Sequence, residues 1–160
     1  MQTRPGIDVA VVLERDAQPG SPPVWHFRIV DVVPQEDGFG TEAQRLEGDD
    51  RLSRWLHPGW RLELVPEEGQ GYHRNLSSGA PVWFVRWCID ASDASLARPE
   101  ALSLSCDEAG RWRQVGERVD TVPLPPYAQE WLRGYTELHY RPEPVRRRRP
   151  ETFSLPDRRG

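Results

Sequence analysis

Short stretches of alternating apolar residues, separated by proline- and glycine-rich turns, constrain the fold of this chain most strongly. Residues 7–14 and 24–33 alternate with period 2, which predicts two antiparallel strands joined by the turn-rich segment 16–23. In the second strand the apolar phase shifts at Val30, which predicts a β-bulge or bend. Val82–Ile89 is apolar on both faces except at one arginine, a pattern typical of a central strand covered on both sides.

The opposite periodicity, that of a helix, is clearest near the C-terminus. Four apolar residues there fall on one helical stripe: Tyr127, Trp131, Tyr135 and Leu138. Pro125 and Pro126 suit the first turn of this helix, and Arg141 should end it because a proline follows. We therefore expect a helix from about 126 to 141 that packs on a sheet.

Two shorter helices are predicted from their termini. Acidic residues at 67–68 open the first helix, Tyr72 and Leu76 form its inner face, and Gly79 ends it. Asp107 is the predicted N-cap of the second helix, with Trp112 and Val115 facing inward and Gly116 beyond its C-terminus. Leu102, Leu104 and Cys106 mark a strand before it, and 118–122 reads as an edge strand.

These elements predict a single α+β domain over residues 1–141. We expect a mostly antiparallel, twisted sheet of five or six strands, packed by the C-terminal helix and one or two short helices. Residues 35–52 contain many acids and no periodicity, so we expect an exposed acidic loop there. Residues 142–160 contain four prolines and few apolar residues, which predicts an extended Pro/Arg-rich tail.

The charge distribution restricts the possible partners. All 21 basic residues are arginine, and seven of them lie in 141–160 against three acids, whereas the remaining 140 residues have 14 arginines and 22 acids. The negative charge of residues 1–140 argues against nucleic-acid binding by the folded body. We find no apolar run long enough for a membrane helix and no signal-peptide pattern, so we expect a cytoplasmic protein that does not enter a membrane.

The stretch WLHPGWRLEL, residues 55–64, raises a question that the sequence leaves open. Pro58 and Gly59 are a turn signal, and Trp60 begins an alternating strand, so Trp55 and His57 would precede the strand. Core packing explains most of the seven tryptophans. Trp55 is the least explained of them, and it is a candidate stacking surface for a base or for an apolar side chain of a partner.

No cofactor, metal or catalytic site is predicted. The four histidines and two cysteines lack metal-ligand spacing, and NLSSGAP differs from the GxSxG nucleophile motif. His57 is interpreted as a turn residue because it precedes Pro58, and no carboxylate neighbours it in sequence to form a proton relay. Arg86, inside a buried strand, must be paired or reach the rim of the sheet, and it is either a structural ion pair or an anion-binding residue.

Four segments together resemble a known family: WLHPGWRLEL, EGQGYHRNLSSGAPVWFVRW, SCDEAGRWRQVGERVDTVPLPP and HYRPEPVRRRRPETF. The chain is similar to the proteobacterial domain of unknown function 3305 from about Val9 to Phe153. That family has no established activity, so the resemblance transfers no catalytic residue. The resemblance implies a genomic setting beside molybdenum- or tungsten-dependent formate dehydrogenases and iron–sulfur proteins, and hence an accessory or maturation role. The acidic loop at 35–52 and the all-arginine tail depart from the family pattern.

We predict a non-catalytic accessory or adaptor protein that binds a cytoplasmic partner protein. The family resemblance suggests that this binding serves the assembly of a molybdenum/iron–sulfur redox enzyme. The candidate partner-binding residues are Trp55, His57, Arg86, Arg146, Arg147, Arg148 and Arg149. The alternative is a small ligand-binding domain or enzyme with a pocket between the sheet and the C-terminal helix. Convergence of Trp55, His57 and Arg86 on one pocket would favour that alternative. A third hypothesis, nucleic-acid binding by the tail, is opposed by the charge of the acidic body.

Overall fold

The computed structural model describes residues 4–141, so the predicted tail with its four arginines at 146–149 lies outside the described residues. Residues 4–141 form seven strands, three α-helices and two short 3-10 helices. In chain order these are β1 (Gly6–Gln18), β2 (Val24–Pro34), a 3-10 helix (Asp37–Phe39), β3 (Gln44–Gly48), β4 (Leu52–Glu63), a 3-10 helix (Pro66–Glu68), α1 (Gly69–Ser77), β5 (Val82–Ile89), β6 (Ala97–Ser103), α2 (Cys106–Gln114), β7 (Arg118–Pro123) and α3 (Pro126–His139).

The strands form two antiparallel sheets, and the prediction of one sheet with five or six strands was wrong. The first sheet has the order β2-β1-β4-β3, and the second has the order β6-β5-β7. The chain passes from the first sheet to the second through α1, so β4 and β5 are not paired. β2 lies beside β7 and β4 lies beside β6, but no ladder joins these neighbours within residues 4–141. The predicted α+β class is confirmed.

The main core lies between the two sheets. Val9, Val11 and Leu13 of β1 belong to the same buried cluster as Trp83 and Val85 of β5, and α1 and α3 contribute to it. β5 lies between β6 and β7, which confirms that it is a central strand. Full burial of each side chain of this size stabilises the fold by about 1.5–3 kcal/mol. This cluster therefore fixes the two sheets relative to each other.

The predicted phase shift in β2 is a β-bulge. Val12 pairs with Asp31 and Leu13 pairs with Ile29, so Val30 has no partner residue on β1. The backbone N–H of Ile29 donates to Asp120 Oδ2 of β7 at 2.9 Å. This bond satisfies a donor on an edge strand and links the two sheets where β2 meets β7.

The acidic stretch 35–52 is exposed, as predicted, but the prediction that it is an irregular loop was wrong. It contains a 3-10 helix and the strand β3, in which Gln44 pairs with Leu56 and Arg45 with Trp55. All five residues of β3 are exposed. Backbone hydrogen bonds alone hold β3 in the sheet. Because β3 buries no side chain, its sequence has no apolar alternation from which a strand could be predicted.

The start of α2 also differs from the prediction. Cys106 is its first residue instead of part of a strand, and Ser105 is the N-cap in place of Asp107. Ser105 Oγ accepts a hydrogen bond from the N–H of Glu108 at 3.0 Å. Ser105 and Glu108 have the spacing of a capping box, a signal that the sequence contained and that we missed. Val115 was predicted to face inward and is 75% exposed.

Helix α3 lies where it was predicted, but its buried face is rotated. Its buried residues are Ala128, Leu132, Tyr135 and Thr136. Of the predicted stripe, only Tyr135 is buried and Trp131 is half-buried, whereas Tyr127 and Leu138 are 48% and 80% exposed. The predicted stripe and the buried face lie side by side on this helix. The face with the smaller side chains, which includes Ala128 and Leu132, is the one that docks on α1 and the core.

Candidate functional site

Pro58 and Gly59 do not form a turn before a strand, and that prediction was wrong. They lie inside β4, where Val9 pairs with Trp60 and Val11 pairs with His57. Two residues of β4 therefore oppose one residue of β1, which defines a β-bulge. Gly59 has a φ of 85°, a conformation that costs a residue with a Cβ atom about 1–2 kcal/mol. In this chain the Pro-Gly pair therefore forms a bulge within β4.

This bulge changes which side chains share a face of β4. In a regular strand, residues 55 and 57 would point away from the face that carries residues 60 and 62. The extra residue restores the phase, since His57 and Trp60 oppose Val11 and Val9, two residues of the same core cluster. Trp55, His57 and Trp60 therefore lie on the inner face of the first sheet, and Trp55 belongs to the strand.

A groove follows this face at the place where β4 lies beside β6, and we call it the seam groove. It consists of two adjoining hollows that share Ala43, His57 and Arg98. The first hollow has mostly apolar walls and a volume of about 210 Å³. Its lining is Leu13, Arg15, Phe27, Ala43, Trp55, His57, Asp90, Ser95, Leu96, Ala97 and Arg98. The second hollow is lined by Thr41, Ala43, His57, Pro58, Gly59, Trp60, Arg98 and Pro99.

The loop between β5 and β6 forms one wall of the groove and is held by two consecutive Asp-x-Ser turns. Asp90 Oδ1 accepts from the N–H and the hydroxyl of Ser92, and Asp93 Oδ1 accepts in the same way from Ser95. The hydrogen bonds from these serines lower the pKa of both aspartates. Arg15 donates to the carbonyl of Ser95 at 2.8 Å and so attaches this loop to the first sheet. The wall is therefore preorganised.

Charges in the groove are mostly compensated. Arg98 pairs with Asp90 at 3.3 Å, and the guanidinium of Arg15 stacks on the Trp25 ring at 4.6 Å. Trp55 and His57 are half-buried, and Leu96 is 40% exposed at the rim. The groove thus presents aromatic and aliphatic groups with fixed arginines beside them, a composition that is enriched at protein interfaces.

His57 is not arranged for proton transfer. Its Nε2 atom is buried and has no hydrogen-bond partner within residues 4–141. Burial lowers the pKa of His57, because a low-polarity surrounding disfavours the imidazolium. A neutral ring without a carboxylate partner contributes to the groove as a flat, weakly polar wall.

The lowered pKa of His57 predicts a pH dependence of stability. The unfolded chain binds this proton below about pH 6.5, whereas the folded protein resists it, so stability falls as the pH drops through that value. Replacing His57→Phe should reduce the slope of unfolding free energy between about pH 7 and 5, by at most about 1.4 kcal/mol per pH unit. Urea melts at several pH values would measure it. An unchanged slope would contradict the burial of the ring.

The position of Trp55 inside β4 also predicts its energetic role. Trp55 and Trp60 are both half-buried on the same face, so truncation of either to alanine should cost about 1–2 kcal/mol, less than the loss at a fully buried site. Denaturant melts of the two variants would test this, and a difference above about 2 kcal/mol would contradict it.

Arg86 is separated from the groove. It lies on β5, with Nε 3.8 Å from Glu100 Oε1 and its guanidinium 5.1 Å from the centre of the Trp112 ring. The structure therefore brings Trp55 and His57 together and gives Arg86 a structural ion pair elsewhere. None of the groove's lining residues belongs to α3, so the groove is not the pocket between the sheet and the C-terminal helix that the alternative hypothesis required.

Several lining residues escaped the sequence analysis, among them Arg15, Phe27 and Leu96. The repeated Asp-x-Ser pattern DASDAS at 90–95 was the one signal that could have identified the wall. Within residues 4–141 there is no cluster of three or more potential metal ligands. None of the helices in that range combines the length and apolar character needed to cross a membrane.

Comparison with known proteins then places the chain. The sequence matches the family described as Protein of unknown function (DUF3305) over residues 8–149, most of its length. The chain belongs to the DUF3305 family. The match includes the whole seam groove and extends through the arginines at 146–149. No curated protein and no solved structure matches the chain significantly.

Proposed function

We propose that this DUF3305 protein is a non-catalytic accessory protein that binds a partner protein through the seam groove. The observation that carries the proposal is the placement of Trp55, His57 and Trp60 on one accessible face by the Pro58–Gly59 bulge. Tryptophan and arginine dominate the binding energy of many interfaces, especially beside a water-poor pocket. The preformed wall at 90–96 lowers the entropy cost of binding.

The elongated form of the groove suits a protein partner. The two hollows have volumes of about 210 and 310 Å³ and adjoin each other, so the groove is longer than one compact pocket. The first hollow suits one inserted side chain, with the rest of the partner lying along the second hollow. The burial and isolation of His57 favour packing over acid–base chemistry at this surface.

The class of partner that we propose is a cytoplasmic molybdenum- or iron–sulfur-dependent redox enzyme during its assembly. This part of the proposal rests on the family resemblance and its implied formate dehydrogenase setting. In this role the protein would hold a subunit before its cofactor is inserted, and an apolar groove on a rigid domain is suited to that.

A capture experiment in the native cell tests the proposal. We expect the full-length protein to recover a redox-enzyme subunit, and Trp55→Ser to lose about 30-fold in affinity, as for an interface residue worth about 2 kcal/mol. Tyr127→Ser on α3 is the matched control, since Tyr127 is exposed and distant in sequence from the groove. Equal recovery by all three proteins, or a partner with no redox cofactor, would contradict the proposal.

A second candidate is binding of a small apolar ligand, favoured by the convergence of Trp55 and His57 on one partly enclosed hollow. Titration with indole, monitored by calorimetry, would separate the two candidates. Binding of indole that is lost in Trp55→Ser, without any captured protein, would favour the ligand.

A further inference from the structure

The edge of β6 that faces away from β5 runs along the seam groove. β6 is the outermost strand of its sheet, and among the strands of residues 4–141 it pairs only with β5. Ala97 of this strand lines the first hollow, and Pro99 lines the second. A bound segment that follows β6 therefore passes both hollows in turn.

Backbone hydrogen-bonding groups point from β6 toward this open edge. In an antiparallel ladder the bonded residues alternate, and the N–H of Asp90 donates to the carbonyl of Leu96 at 2.9 Å. The next residue of β6 that bonds to β5 is then Arg98, so Ala97 directs its N–H and its carbonyl away from β5. Within residues 4–141 neither of these two groups has a hydrogen-bond partner. They are the groups that an added strand would use.

The side chains along this edge define what an added strand must carry. Ala97 and Pro99 lie on the core face of the second sheet, because their partners on β5 belong to the main core cluster or pack against it. Residues of the added strand opposite these two positions would point into the hollows. The residue between them lies opposite Arg98, which points to the other face and whose side chain is 53% exposed.

The charge of the groove lining is positive. The lining contains two arginines, Arg15 and Arg98, against one acid, Asp90. Arg98 pairs with Asp90, whereas the guanidinium of Arg15 donates to the carbonyl of Ser95 and stacks on the Trp25 ring. An acidic residue in the middle of the added strand is therefore complementary to the groove.

We infer that the seam groove binds an extended segment of its partner protein as an added antiparallel strand on β6, with the side-chain pattern apolar–acidic–apolar. The two apolar residues lie opposite Ala97 and Pro99 in the hollows, and the acidic residue lies opposite Arg98. The inference rests on the proposed function, because it states how the partner is held. In this mode of binding, backbone hydrogen bonds supply affinity and alternate side chains supply specificity.

A second copy of this chain fits the edge less well than such a segment. If Ala97 of each copy faced Pro99 of the other, Arg98 of one copy would lie opposite Arg98 of its partner. Like charges directly opposite each other destabilise a strand pair. Pro99 also lacks an N–H group, so it provides only one of the two bonds that a paired residue normally makes. The edge thus favours an acidic segment over a copy of itself.

Calorimetric titration of the full-length protein with a short capped peptide, Leu-Glu-Leu flanked by threonines, tests the strand addition. We expect binding with a Kd below about 1 mM. N-methylation of either leucine should weaken binding about tenfold, because that N–H bonds to the carbonyl of Ala97 or Pro99. N-methylation of the glutamate is the matched control, since its N–H points away from β6. Absence of binding at about 1 mM, or equal losses from all three methylations, would overturn the inference.

An exchange of charge tests the middle position of the added strand. A Leu-Lys-Leu peptide should bind the wild-type protein about fivefold more weakly than Leu-Glu-Leu, and Arg98→Glu should reverse this preference. Arg51→Glu is the matched control, because Arg51 is also an exposed arginine in one ion pair but does not line the groove. Equal affinity of the two peptides for wild type, or the same reversal in Arg51→Glu, would contradict the inference. A dimer that excludes the peptide would assign the edge to a second copy and reject it too.

Partner capture separates this inference from the proposed function. Leu-Glu-Leu peptide at about ten times its Kd should lower the apparent affinity for the partner about tenfold, because it leaves only that fraction of the groove free. Loss of capture in Trp55→Ser without competition by the peptide would leave the proposed function standing and reject the strand addition. Peptide binding that follows the methylation pattern, with no redox-enzyme subunit captured, would support the strand addition and contradict the proposed function.

Discussion

Replacing Leu132→Asp is expected to prevent α3 from docking and to unfold the domain, whereas Leu138→Asp should change stability by less than about 0.5 kcal/mol. Leu132 is 0% exposed within the main core cluster, and Leu138 is 80% exposed on the same helix. A carboxylate at position 132 would be buried without a partner, a cost of several kcal/mol that is comparable to the whole stability of a domain. At position 138 the carboxylate stays in water.

Circular dichroism and denaturant melts of the two variants measure this difference. Leu132→Asp should lack a cooperative transition, and Leu138→Asp should melt near the wild-type midpoint. The reverse result would mean that the stripe read from the sequence, which includes residue 138, is the docked face of α3. A cooperative melt of both variants would show that α3 is not docked on the core.

Replacing Gly71→Ala is expected to cost about 2–3 kcal/mol, although alanine is normally the better helix former. A Cβ atom at Gly71 would overlap Ser105 Oγ and lie 2.9 Å from Ser105 Cβ and 3.1 Å from the backbone nitrogen of Asp107. Ser105 caps α2 and donates to Glu68 Oε1 at 2.6 Å, so it cannot move without losing these bonds. The overpacking and the weakened cap together outweigh the helix propensity gained.

Gly110→Ala in α2 is the matched control for this prediction. Nothing lies within 4 Å of a Cβ atom built on Gly110, so alanine there should stabilise the protein by about 0.5–1 kcal/mol. Thermal melts should show a midpoint lowered by roughly 5–10 °C for Gly71→Ala and raised slightly for Gly110→Ala. Stabilisation by both substitutions would mean that α1 and α2 are farther apart than the structure places them.

Gly71 also illustrates what the sequence could not reveal. Two glycines at 69 and 71 weaken the prediction of α1 from propensity alone, yet α1 forms there. A Cβ atom at Gly69 would lie 2.9 Å from the Tyr140 side chain. Both glycines allow a segment that is distant in sequence to pack against α1, Tyr140 at Gly69 and Ser105 at Gly71. Only these tertiary contacts explain why glycine occupies the two positions.

The site shows the same division between local and distant information. The sequence singled out Trp55 and His57 as candidate partner-binding residues, and the structure places both in the seam groove. Their shared face was not predictable, because a bulge inside a strand and a turn before a strand use the same Pro-Gly signal. The facing wall comes from residues 90–98, more than 30 positions away, which no local pattern connects to β4.

By itself, the sequence determined the elements whose signals are local. Period-2 alternation located β1 and β2, and an apolar run located β5. Gly79 and Gly116 located the ends of α1 and α2, and helical spacing located α3. The tertiary structure decided the division into two sheets, the face on which α3 docks, the strand β3 and the assembly of the seam groove. Propensity and turn chemistry act over a few residues, whereas strand pairing and burial depend on contacts between segments that are far apart in the chain.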